Sequence, residues 1–406
     1  MKRFLGKWGN VISFLGLFSV YLVLTLFLFH RQSVNYGGRY ISDMPIYIAE
    51  IQGISTGYDF PYPVMFWIAK FFNLFTTPNH AMTMTVTGLN GLIFLVLKYY
   101  FDKFLPVDKK DVKNGCISTV LVFLVLFVSM LFPFNYLGKY HAMGEDFLYR
   151  YKGIFSPNPF HNATYLAARP FAVIAFFLAI DILQDYEDND RWINPKYVSF
   201  AIVLLVATMT KPSFTLVLVC VCGFIMLWRL LCSKLKGMKA FWQFGITFIP
   251  TLLDLLYQYR GVFMGAAGEE KGIGIGFLVA WKTATDNVAV SIFFAIAFPL
   301  IVLLFQRTRL RENRNLLFSW QFYIAAILML LFLYEKGFRL PDMNFAWGYM
   351  YSLFFLYITS LIVLVQETRM RNQAIWKLGL QWIVFVAHMI CGVDYFWIVI
   401  KGYWYH

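Results

Sequence analysis

A carboxylate, Asp43, follows the first long apolar run of the chain, in the polar stretch 40–50 that also carries Tyr40, Tyr47 and Glu50. An acid at headgroup depth beside a membrane span can act as general base toward a hydroxyl or hold a divalent cation. Ser42 or Asp43 ahead of Pro45 also fits the start of a helix. The chain sets several cations against this acid. Lys211 stands in Thr210-Lys211-Pro212-Ser213, and Arg339 follows Glu335 by four residues and precedes Asn344. Arg169 lies about one turn inside an apolar run, where an unpaired guanidinium costs about 2.5 to 3.5 kcal/mol. That cost implies an anion for Arg169, either a lipid phosphate or an acid from the loop before it. The loop is the most polar of the chain, with His141, Glu145, Asp146, Asn158, His161, Asn162 and Thr164. Asn162 and Thr164 are also helix-capping types, and Asn162-Ala-Thr164 fits a glycosylation acceptor. Lys211 taken alone fits a lysine that snorkels to the interface. Taken jointly, a base and several cations on one membrane face suit group transfer away from a lipid-linked phosphate. The leaving phosphate needs positive charge and the acceptor needs a base.

Such residues need a scaffold, and the composition names it. Of 406 residues, 60% are hydrophobic and only 14% charged. A soluble domain cannot hide that much apolar surface, so the chain is expected to be an all-α polytopic membrane protein. About eleven runs are long enough to cross a bilayer: 9–29, 80–101, 116–134, 165–184, 195–209, 212–229, 240–257, 287–306, 316–334, 347–366 and 376–398. The first is read as an uncleaved span rather than a signal peptide, being long and without a small-residue cleavage site. The run 61–75 opens with Pro-Tyr-Pro and carries Lys70, so it is placed as a helix lying on the outer surface.

The formal charge of +13 would elsewhere suggest nucleic acid. Here most lysines and arginines fall in six short segments between apolar runs, as the positive-inside rule and anionic lipid require, and no nucleic-acid partner is expected. The same rule puts the amino terminus inside and the carboxyl terminus outside. One membrane domain then spans 1–406, with outer loops at 31–79, 135–164, 258–286 and 335–346. The five cysteines lie in or beside apolar runs and read as small hydrophobic fillers, not disulfides or zinc ligands.

A first span, an outer loop with an aspartate, a surface helix opening Pro-Tyr-Pro, a second span and a basic inner loop follow in order. This order resembles the GT-C superfamily of polyprenyl-phosphate-sugar-dependent membrane glycosyltransferases. The turn Thr210-Lys211-Pro212-Ser213, the segment from Glu335 through Arg339 and Asn344 to Trp347-Gly348, and Asn158-Pro-Phe-His161-Asn162-Ala-Thr164 resemble members of this class encoded with bacterial cell-surface polysaccharides. Phe160 and Ala163 stand where that class carries tryptophan and proline.

The resemblance implies a sugar donor on polyprenyl phosphate, a glycan or glycolipid acceptor, and a multi-pass enzyme in the bacterial plasma membrane. It implies Asp43 as base in an inverting displacement, with Arg169, Lys211 or Arg339 on the leaving phosphate. It further implies substrate contacts among Tyr62, His141, Glu145, Asp146, Asn158, His161, Asn162, Glu335 and Asn344. A divalent cation, Mg2+ or Mn2+, could replace one of the basic side chains. Tyr40, Tyr47, Tyr62 and Trp347 could stack on sugar rings or anchor at the interface. Two other readings stand beside this one. A polysaccharide polymerase or ligase would depend on outer arginine and histidine rather than the first-loop acid. A transporter or flippase would need charges along a path, for which Asp254 and Asp394 are candidates.

Overall fold

The computed structural model describes residues 2–105, 112–131, 155–189, 191–263, 272–285, 287–371 and 373–403. His141, Glu145 and Asp146 lie outside the described residues. The described chain is a helical bundle. Helix α1 (Lys2–Val34) leads to two short helices, α2 (Met44–Ile51) and α3 (Val64–Asn73), and then to α4 (Pro78–Phe104) and α5 (Val112–Val125). There follow α6 (Ala163–Leu183), α7 (Pro195–Thr210), α8 (Ser213–Cys232), α9 (Met238–Gly245) and α10 (Ile249–Phe263). The last are α11 (Val288–Gln306), α12 (Arg314–Phe332), α13 (Asn344–Met370) and α14 (Ile375–Lys401).

Among the described residues nine helical segments are long and apolar enough to cross a bilayer, so the protein has the character of a multi-pass membrane protein. Two of the eleven expected spans are shorter. Helix α5 has 14 residues and α7 has 16, about 21 and 24 Å at 1.5 Å per residue, short of a ~30 Å hydrocarbon core. The run 61–75 gives a helix of 10 residues, too short to span. Its outward side carries Trp67, Phe71, Leu74 and Phe75, all more than half exposed, in keeping with a helix that lies along an apolar medium.

Helix α13 is the centre of the bundle. Its most apolar stretch is wholly buried, whereas that of α1 is only 17% buried and lies at the periphery. Lipid tails are as apolar as leucine, so packing rather than hydrophobic burial must hold such helices together. The fit is visible in the rings: Phe355 of α13 stacks on Phe176 of α6 at 3.9 Å and 3°. Gly348, near the start of α13, has no room for a side chain. A Cβ there would lie 2.8 Å from Val217 Cγ2 and 3.1 Å from the Ser213 carbonyl. The beginnings of α13 and α8 therefore touch, which carries Trp347 to the turn that holds Lys211.

The segments on either side of 132–154 depart from expectation. The span 116–134 stops being helical at Val125, and residues 155–162, expected in an outer loop, are buried. Non-helical backbone survives at membrane depth only where protein satisfies it. Here Ser129 N–H donates to the His388 carbonyl and Leu131 N–H to that of Phe294. The Asn158 amide donates to the carbonyls of Val125 (3.1 Å) and Val128 (2.8 Å). Gly392 of α14 lets this segment pass, since a Cβ would meet the Phe127 backbone.

The chain is also not purely helical. Strand β1 (Ile273–Ile275) pairs antiparallel with β2 (Leu333–Glu335), Ile273 opposite Glu335. This ribbon joins two outer segments that sequence left unconnected. None of the five cysteines forms a disulfide.

Candidate functional site

Helix ends at one face of the bundle converge on a cavity of about 480 Å³. Asp43 sits at the start of α2, but its carboxylate makes no capping bond to the helix. Ser42 Oγ accepts the Met44 N–H instead. This frees the acid to turn toward α6, and its backbone N–H donates to the His161 carbonyl at 3.2 Å. Asn162 caps α6, its Oδ1 accepting the Tyr165 N–H at 2.8 Å and the Thr164 hydroxyl at 3.0 Å. With Oδ1 committed to the helix, the amide Nδ2 must face the other way, and it donates to Asp43 Oδ2 at 2.5 Å. The Tyr47 hydroxyl reaches the same oxygen at 3.3 Å and lies 3.1 Å from Thr164 Oγ1.

Lys211 arrives from the opposite wall. Helix α7 ends at Thr210, Lys211 is extended, and Pro212 cannot continue the ladder and starts α8. The side chain does not snorkel outward. Lys211 is 5% exposed, its Nζ donates to Thr164 Oγ1 at 3.0 Å, and it lies 4.7 Å from the Trp347 ring centre. Asp43, Tyr47, Thr164 and Lys211 thus form one line of polar contacts across the cavity.

The third wall comes from the segment between α12 and α13. Asn344 donates to Glu335 Oε2 at 2.5 Å, and Arg339 lies 3.9 Å from Glu335 Oε1 and 5.9 Å from the Tyr58 ring centre. Tyr62 and Asp342 complete the polar end. The remaining lining is mostly apolar, with Leu216 of α8, Leu255 and Val262 of α10 and Met329 of α12, and Gln258 is the polar side chain on that α10 wall. A cavity polar at one end and apolar at the other suits a molecule built the same way.

Burial governs the electrostatics. It raises the Asp43 carboxyl above the usual carboxylate range, a rise opposed by Lys211 and by the hydrogen bonds from Tyr47 and Asn162. Burial likewise pushes Lys211 down to about 8, against the pull of Asp43 and Glu335. Glu335 is raised by burial and held back by Asn344 and Arg339. Tyr62 is raised by burial and by Asp43, so its phenol stays protonated and can donate.

Not every expected residue reaches the cavity. Arg169 is fully buried and meets no anion among the described residues. Its guanidinium donates to Asn158 Oδ1 (2.5 Å) and Asn90 Oδ1 (2.6 Å), touches the Tyr21 hydroxyl at 3.4 Å, and packs over Phe354. Among the described residues two neutral amides and an aromatic face stand where a lipid phosphate or a loop acid was expected, because α6 carries Arg169 into the bundle interior rather than to its end. Asn158 shares that fate, its amide spent on backbone carbonyls. His161 contributes its backbone and packs its ring 5.7 Å from that of Trp347, outside the lining. Asn162 is buried as a helix cap, which removes the glycosylation-acceptor reading.

The expected residues that do meet at the cavity are Asp43, Tyr62, Asn162, Lys211, Glu335, Arg339 and Asn344. Sequence reasoning passed over Asp342, Tyr58 and Gln258 as site residues. Gln258 holds the Thr208 carbonyl and Asp254 with its amide nitrogen, and its buried oxygen has no donor among the described residues. Its sequence signal is an amide at the boundary of an apolar run.

The site's fit to a divalent cation can be read from its donors. No group of three metal-ligating side chains occurs among the described residues, and Asp43 and Glu335 are each held by an amide with a cation close by. That donor set does not fit a metal cage, and no step below passes through one.

No protein family, characterised protein or solved structure matches this chain.

Proposed function

We propose that the protein is a membrane glycosyltransferase that moves a sugar from a polyprenyl-phosphate donor to a glycan or glycolipid acceptor at the outer face of a bacterial plasma membrane. One observation carries the reading. Asp43 and Lys211, 168 positions apart in the chain, are joined through Tyr47 and Thr164 in a cavity whose far wall is apolar. The apolar wall accommodates the first units of a lipid tail. Lys211 and Arg339 receive the phosphate, and Tyr62, Tyr58 and Trp347 offer rings and hydroxyls to the sugar.

In the step itself, Asp43 accepts the proton of the acceptor hydroxyl as its oxygen attacks the anomeric carbon. The bond from that carbon to the phosphate oxygen breaks, and its electron pair leaves with the phosphate, where Lys211 meets the added charge. The attack comes from the face opposite the leaving group, as in an inverting glycosidase with a sugar hydroxyl in place of water. The raised affinity of Asp43 for a proton suits a base that must hold one in the transition state.

The test uses the full-length protein reconstituted with a polyprenyl-phosphate-linked labelled sugar. Transfer to acceptor is expected for the native chain, and Asp43→Asn is expected to lower turnover by ~10²-fold or more. Undiminished turnover in Asp43→Asn would favour the polymerase or ligase reading. Movement of the labelled lipid across the bilayer without bond cleavage would replace the enzyme reading with a transporter.

A further inference from the structure

At the other end of α8 and α12, away from the cavity above, the bundle carries a groove of about 620 Å³ between Arg229, Arg311 and Arg314 on its rim and Phe224, Trp228 and Leu317 on its walls. Phe224 and Trp228 are 70% and 61% exposed, so the groove opens on the side of the bundle.

The charge around it is unbalanced in one direction. Four nearby acids are already engaged: Asp181 with Lys103 at 3.0 Å, Asp185 with Lys196 at 3.1 Å, Glu187 with Arg229 at 3.5 Å and Glu367 with Arg309 at 3.9 Å. Arg229 is further fixed by donating to the Leu183 carbonyl at 2.6 Å. Glu312, between the two remaining arginines in sequence, lines the neighbouring depression with Arg309, Asp181 and Arg314, but forms an ion pair with neither Arg311 nor Arg314 among the described residues. Arg311 and Arg314 are therefore left without an acidic partner among the described residues. Two uncommitted guanidinium groups stand over a laterally open apolar groove at a helix end.

We infer that this groove is a binding site for an anionic phospholipid, its phosphate held by Arg311 and Arg314 and its acyl chains lying along Phe224, Trp228 and Leu317. Guanidinium forks match phosphate oxygens in pairs, and basic pockets between spanning helices on the cytoplasmic side bind anionic headgroups. The side walls explain why a lipid, rather than a soluble phosphate, is the occupant. The inference stands apart from the reaction proposed above and uses none of its residues.

The experiment is native mass spectrometry of the full-length protein released from vesicles of equal phosphatidylglycerol and phosphatidylcholine. Retention of phosphatidylglycerol over phosphatidylcholine is expected, with a loss of at least 5-fold in the double variant Arg311→Gln with Arg314→Gln. Both side chains are exposed, and matching melting temperatures for variant and native protein check the fold. Leu317→Trp, which fills the groove and leaves both arginines in place, is expected to reduce retention as well. Equal retention in the arginine variant, or no preference between the two lipids, would overturn the assignment. Displacement of the lipid by millimolar inorganic phosphate would overturn the lipid in favour of a soluble anion.

Discussion

Lys211 sets the upper limit of the pH range in which the site can work. Its ammonium is charged below about 8 and neutral above, so stabilisation of a departing phosphate is lost as pH rises through that value. Asp43 sets the lower limit, because it must shed its proton before it can take another, and burial delays that loss beyond the usual carboxylate range. A bell-shaped profile of kcat/KM against pH is expected. Lys211→Arg keeps the positive charge at every accessible pH and should erase the alkaline limb, whereas Lys211→Met should cost ~10²-fold or more in kcat. Asn162→Asp isolates the acid limb. Aspartate caps a helix as well as asparagine does, so α6 keeps its start, but a second carboxylate replaces the amide that now donates to Asp43. Two carboxylates sharing one site cannot both ionise easily, and the acid limb should move upward by at least one pH unit.

At the level of elements, the cavity depends on two close approaches. Gly348 lets α13 meet α8, and this contact places Trp347 against Lys211. Gly348→Val should force the helices apart at a cost of about 1 to 3 kcal/mol, read as a lower melting temperature with a larger loss of activity than of fold. The second approach is the buried extended segment after α5. Asn158 satisfies two carbonyls there and also accepts from Arg169, so Asn158→Ala orphans two acceptors and takes one of its acceptors from a buried charge. Leaving such groups unpaired costs several kcal/mol, and the variant is expected to melt well below the native protein. A thermal shift of only a few degrees or less would deny Asn158 that role.

For the whole molecule, the bundle assigns relative sides that can be checked directly. Arg31, at the end of α1, donates to the Ile400 carbonyl at 2.7 Å, so the end of α14 and the Asp43 loop share a face. Single cysteines at Glu50, Lys336 and Lys401 should react with an impermeant reagent from one side of a sealed vesicle, and cysteines at Lys236 and Arg311 only from the other. A label at Lys236 from the same side as Lys336 would invalidate the arrangement on which the proposed reaction rests.

The sequence by itself determined the helical membrane character, because hydropathy is a property of runs of adjacent residues and needs no partner. It also determined that a helix too short to span follows Pro61-Tyr-Pro63 and that Pro212 breaks the chain behind Lys211, since proline acts on its own backbone. The pairing of the amide of Asn162 with Asp43, the inward turn of Lys211, the ribbon that holds Glu335 and the withdrawal of Arg169 and Asn158 into the interior were decided by tertiary structure alone. Each depends on which helix faces which at a distance of scores of residues. A buried charge tells from sequence only that it must be satisfied, not whether a phosphate, a carboxylate or two neutral amides will satisfy it.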